Sequence, residues 1–196
     1  MSIIEDGATG DKVRVDGSNR LQVFAIAEGV NAFSVKNGDA YNLATGLVAM
    51  TGTAESSVFY MANTGATDIV ITSITFGVGV LSATITDDSV FTIIKNPTGG
   101  DIISNATALA GGNTNQNHGE SKSLSINAFQ GVDGGTITGG ESYGPFYVSS
   151  SQRTSIPLTM RIPNGGSVGV KVDLNTSGGG NVYCAINCHL HDDTQL

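Results

Sequence analysis

Tryptophan is absent from this chain of 196 residues, cysteine occurs twice, and charged residues make up only 13% of it. Each shortage excludes something. Nine Lys and Arg against 17 Asp and Glu leave a formal net charge of −8, so the field of the molecule repels phosphate backbones and anionic lipids, and neither nucleic acid nor a membrane is expected as a partner. No apolar run approaches the ~20 residues that cross a bilayer. Met1-Ser2-Ile3-Ile4-Glu5-Asp6 lacks the basic region and apolar core of a secretory leader, so synthesis in a cytoplasm is expected. Amphipathic stretches of three helical turns are missing as well, which argues against long surface helices.

What the chain does hold is strand and turn chemistry. Hydrophobic residues reach 39% and glycines number 27, with Thr, Ser and Asn filling most other positions, enough to bury a core built from strands and tight turns. From Tyr41 onward the strand candidates are Tyr41 to Met50, Ser57 to Ala62, Ile69 to Val78, Val90 to Lys95, Leu124 to Phe129, Phe146 to Val148, Ile156 to Ile162, Val168 to Leu174 and Val182 to Leu190. Turn signals such as Asn63-Thr64-Gly65 and Pro163-Asn164-Gly165-Gly166 separate them, so the connections read as hairpins and arches. The expected fold is all-β, an antiparallel jelly-roll-like sandwich. Val168 to Leu174 alternates strictly, apolar on even positions, and predicts one buried and one solvated face. Ile69 to Phe76 is apolar on both parities, which predicts a central strand or one covered at an interface.

The first 35 residues differ from the rest. They hold two short alternating runs, Lys12 to Val15 and Leu21 to Ile26, around Asp16-Gly17-Ser18-Asn19, and predict an extended N-terminal arm or hairpin over 1–35 ahead of a sandwich body over 36–196. A lone hairpin is marginal in water. Val13, Val15, Leu21, Val23 and Phe24 therefore need cover from the body or from a neighbouring subunit, and with Arg20 they are the candidate partner-binding residues. Two polar, Gly-rich intervals, 111–123 and 130–144, read as solvated loops or as contacts for a partner or receptor.

The chemistry-bearing candidates each have a plainer reading. Cys184, Cys188, His189, His191, Asp192 and Asp193 gather near the C-terminus like a metal site. On an extended strand, however, Val182, Cys184, Ile186, Cys188 and Leu190 share one face while Tyr183, Asn187, His189 and His191 share the other. The thiols, ~13 Å apart at strand spacing, are too distant for a disulfide or a shared zinc. They are expected as core residues, with the imidazoles along an exposed edge. Asp87, Asp88 and Asp101 lack the spacing of a calcium loop. Gly165-Gly166-Ser167-Val168-Gly169 matches a nucleophile elbow in letters, but it leads into a strand and not a helix, so its glycines serve a turn. No phosphate loop and no His-Glu-x-x-His occurs. No catalytic residue, metal or cofactor is expected, and the chain reads as a non-enzyme. Tyr143 and Tyr147 share strand parity and offer a small platform for a glycan.

The order of segments resembles small structural proteins of tailed bacteriophage particles. The resemblance is carried by Gly10-Asp11-Lys12-Val13-Arg14-Val15, Asn19-Arg20-Leu21-Gln22-Val23 and Gly38-Asp39-Ala40-Tyr41-Asn42-Leu43, then by Tyr60 to Gly65, Ile162 to Val172 and the run ending at His191-Asp192-Asp193. It implies a capsid decoration or cement protein located in the virion, a homotrimer of β-sandwiches bound to the major capsid protein or other virion proteins where capsomers meet. A tail-associated module that binds a receptor or glycan is the alternative it leaves.

Overall fold

The computed structural model describes residues 4–5, 12–13, 30–52, 54–79, 88–175 and 178–191. The chain forms two compact units, Met1–Val30 and Asn31–Leu196. Within the first, β1 (Ile4–Glu5) pairs antiparallel with β2 (Lys12–Val13), Ile4 opposite Val13. The boundary expected after residue 35 falls inside a short helix, α1 (Val30–Lys36).

The second unit follows with β3 (Ala40–Ala44), β4 (Val48–Met50), β5 (Ser56–Asn63), β6 (Ile69–Val78) and β7 (Ser89–Lys95). Next come α2 (Asp101–Ser104), β8 (Thr107–Ala108), β9 (Asn113–Asn115), β10 (Ile126–Gln130) and β11 (Glu141–Val148), then β12 (Arg153–Ile162), β13 (Ser167–Asp173) and β14 (Gly180–Leu190). Two antiparallel sheets pack face to face, ordered β11-β7-β13-β5-β10-β8 and β12-β6-β14-β3-β9, with β4 also on β14. The pairings are nested: β3 with β14, β5 with β13, β6 with β12 and β7 with β11. This is the winding of a jelly roll, with β8, β9 and β10 inserted between its fourth and fifth principal strands.

The core lies between the sheets. Phe59, Met61, Phe91, Ile93, Val168 and Val170 of the first sheet meet Tyr41, Leu43, Ile71, Ile74, Phe76 and Ile186 of the second, all fully buried. Burying each such side chain contributes roughly 1.5–3 kcal/mol. Phe76 and Phe91 stack with ring centroids 4.7 Å apart. The expected alternation of β13 holds for its inward face, Val168, Val170 and Val172, whereas the face expected to be solvated is half covered: Lys171 reaches outward to Glu55 at 2.9 Å, but Ser167 is buried and Gly169 lies under Ile137.

The double apolar pattern of β6 has a specific cause. Asn187 lies opposite Ser73 while the next residue, Cys188, lies opposite Ile71, so Thr72 is an extra residue, a bulge that reverses the parity of the strand. Ile69 and Ile71 on one side of it and Ile74, Phe76 and Val78 on the other all reach the core. The strand is central, between β12 and β14. The run Tyr41 to Met50, expected as one strand, splits into β3 and β4. Between them Thr45 replaces the ladder: its N–H donates to the Cys184 carbonyl at 2.9 Å and its Oγ1 accepts from the Cys184 N–H at 2.9 Å.

Candidate functional site

Of the partner-binding candidates, Val13 lies in β2, whereas Val15, Arg20, Leu21, Val23 and Phe24 lie outside the described residues.

The cysteine and histidine strand is β14. Cys184 and Cys188 are free and buried in the core, as expected. Burial pushes both thiols up, Cys188 to about 12, because the charged thiolate finds no solvation there. His189 does face away from them, opposite Ala40 on β3 and Val70 on β6. The exposed histidine edge is not found, however: His189 is only 6% exposed, and its Nδ1 has no hydrogen-bond partner. The error came from treating the outward face of the sheet as uniformly wet. At this end Ala40 and Val70 are buried too, so the face is sealed. Burial, with His191 nearby, lowers the pKa of His189, and Tyr41, whose hydroxyl is also buried without a partner, is raised chiefly by burial and then by Asp39, Cys188 and Glu120. Among the described residues no group of three His, Cys, Asp or Glu is placed to hold a metal ion.

The two tyrosines of β11 do not form a platform. Tyr143 lies opposite Ile93 and Phe146 opposite Phe91, so three steps on β11 match two on β7, and the bulge at Gly144-Pro145 reverses the parity assumed for an even strand. Tyr143 falls on the inward side, where its ring meets Phe146 at 5.7 Å, while Tyr147 lies opposite Val90 on the outward side. They are 54% and 62% exposed, but on opposite faces.

Ser167 opens β13 behind a tight turn in which Gly166 N–H donates to the Pro163 carbonyl at 2.9 Å and Gly165 takes φ of 75°, a conformation favouring glycine. Its backbone N–H donates to Asn96 Oδ1 at 3.0 Å, and no helix follows it. The aspartates are likewise dispersed. Asp88 precedes β7 and accepts from Ser149 Oγ at 2.7 Å, Asp101 opens α2 beyond the other end of β7, and Asp87 is outside the described residues. Hydrogen bonds from the Thr136 hydroxyl and N–H hold the Asp101 carboxyl below its usual range.

Both Gly-rich intervals are built into the body. In 111–123, β9 pairs with β3, Asn115 Nδ2 donates to the Gly38 carbonyl at 2.7 Å, Gln116 Nε2 to the Tyr41 carbonyl at 3.1 Å, and Lys122 Nζ to Asp39 at 3.1 Å. Residues 131–140 bond along β5 and to the 97–101 segment, Ser57 N–H to the Gly135 carbonyl at 2.7 Å and Thr98 N–H to the Thr138 carbonyl at 3.0 Å.

A surface the sequence reading missed is the outward face of the β12-β6-β14-β3-β9 sheet. Asn42 Nδ2 donates to Asn187 Oδ1 at 2.9 Å, and Asn187 Nδ2 donates to Ser73 Oγ at 3.0 Å, a ladder across three strands. Thr75 Oγ1 donates to Ser155 Oγ at 3.1 Å. Tyr183 lies across Gly77, where an added Cβ would come within 1.8 Å of the ring. The available signal was the run of odd-numbered residues of β14 that precede His189, namely Asn181, Tyr183, Ala185 and Asn187, none of them charged. No family model, no curated protein and no solved structure matches this chain.

Proposed function

We propose that the protein is a non-enzymatic structural component of a virus particle, of the capsid decoration or cement type, acting by contact alone. The observation that carries this reading is a jelly-roll body joined to a separate N-terminal unit, the arrangement that the resemblance to phage particle proteins implies. Supporting it, the groups that could form a reactive centre are apart: the thiols in the core, Ser167 at a turn, and Asp88 and Asp101 at opposite ends of β7. Its partners are the major capsid protein or other virion proteins, together with further copies of itself, three in the arrangement the resemblance implies. The N-terminal unit supplies the adhesive element, because short paired strands gain most from a sheet that extends them.

The test is deletion of residues 1–29, which spares α1. The truncated protein is expected to keep the thermal transition of the body and to disappear from purified particles. Unchanged occupancy would overturn the proposed role of the arm. The second reading, a tail module binding a glycan, is favoured by the outward exposure of Tyr147 alone; glycan-array binding abolished by Tyr147→Ala would establish it.

A further inference from the structure

Every edge of the two sheets carries a device that opposes strand addition. β8 is only two residues long and β4 and β9 three each, β11 is broken at Gly144-Pro145, and β12 has a bulge between Pro157 and Met160 and an arginine near each end. Such features blunt an open edge. Association of the body is therefore directed to its faces, and these are unlike. The outward face of the first sheet is partly covered by its own chain, with α2 against β5 and β10 and Ile137 on Gly169, and is open toward β11, where Tyr147 is exposed. On the second sheet, from the row of Asn181 and Ala49 to the row of Asn187 and Ser73, the outward residues stay at least partly exposed apart from Gly77, which Tyr183 covers. Outward positions of its three central strands, β6, β14 and β3, carry no charged side chain, in a molecule of net charge −8; the charge on these rows is at the β12 edge, where exposed Arg153 stands opposite Gly77. Leu47, 70% exposed, stands immediately before β4 at the margin of this sheet.

We infer that the uncharged centre of this face joins two copies of the chain. The inference rests on the reading of the protein as a self-associating structural component and assigns the surface; a face that meets itself closes a two-fold pair, in place of the three copies that the resemblance implies. Two acidic copies repel one another over most approaches, and a face without charges is where they meet with the least repulsion and the least desolvation of ions. A basic partner would be matched by acidic side chains, and none stands on these central strands. The hydrogen-bonded Asn42, Asn187 and Ser73 ladder is already ordered, so little side-chain freedom is lost on contact. Four outward rows at ~6.7 Å, of which only that of Asn187 crosses all five strands, span on the order of 500 Å² per copy at ~4.8 Å between strands, about 1,000 Å² for the pair, which reaches the lower size of specific interfaces.

The full-length protein is tested by sedimentation at low and high salt. The wild type is expected to be oligomeric and to associate more tightly as salt rises, because screening weakens the repulsion between copies. Ala185→Glu, at the centre of the face, and Thr75→Lys, on the adjacent strand, are expected to weaken association at least about tenfold while keeping the wild-type thermal midpoint. Two charges of opposite sign guard against a fold-specific failure of either variant. A monomeric wild type, or association unchanged in both variants, would overturn the inference. Loss of particle binding by both variants without a change in sedimentation would overturn it too, giving the face to a shell subunit and leaving the structural role intact.

Discussion

On the first sheet Tyr60 and Ile94 point outward and are buried by the chain itself, with Phe129 half-buried against Tyr60, whereas on the second Asn42, Ser73 and Asn187 point outward and hold one another. Both sheets contribute aromatic and β-branched residues to the same core, so the difference lies entirely in the alternate positions. An apolar outward residue on a central strand calls for a second layer, and the chain supplies one from α2 and the 131–140 segment. A row of amides and hydroxyls needs none, because each group can bond along the sheet. The first sheet is thus covered within one molecule over β5 and β10 and at Gly169 of β13, and the centre of the second is left as a surface.

The comparison can be broken at several depths. Phe91→Ala removes a ring that both sheets share and is expected to cost about 3–5 kcal/mol in denaturant unfolding, with no distinction between the two faces. Ile102→Ala, in the layer over the first sheet, is expected to cost about 2–4 kcal/mol, which would show that this layer is part of the cooperative fold; a change near zero would make it an ornament. Asn187→Ala on the bare face removes both hydrogen bonds of the ladder and is expected to cost about 1–2 kcal/mol. A value as large as that of Ile102 would mean that the second face is also structural.

The gentlest test acts at the sealed end of the second sheet. His189 has its pKa lowered in the folded protein by burial and by His191, so the unfolded chain binds the proton more readily. Its contribution to stability is complete above the ordinary histidine pKa of 6.5 and is lost progressively as the pH falls below that value toward the folded pKa. His189→Gln is expected to flatten this part of the stability profile, leaving the carboxylate-dependent loss at lower pH unchanged. An unaltered slope would show that His189 does not titrate with unfolding.

The strand pattern made most of the jelly roll legible. Ile69 to Val78 was bounded correctly, and Ser57 to Ala62, Val90 to Lys95 and Val168 to Leu174 came within a residue at each end, because their alternation and flanking turns have one reading. Hidden were the features that period-two counting cannot represent. The bulges at Thr72 and Gly144-Pro145 reverse parity within a strand, and the second of them separates Tyr143 from Tyr147. The short strands β8 and β9 consist of Thr, Ala and Asn and are held by pairing rather than by burial, so composition makes them look like loop. His189 was misplaced for a related reason: its face was inferred correctly, but whether that face is open depends on what packs over it, information that is absent from its own strand.

The most direct test of the structural role is the number of copies on purified particles, measured by quantitative mass spectrometry against the major shell protein. The account expects hundreds of copies, in a fixed ratio to the shell subunits. A dozen or fewer would move the protein to the tail, and its absence from particles would contradict the account.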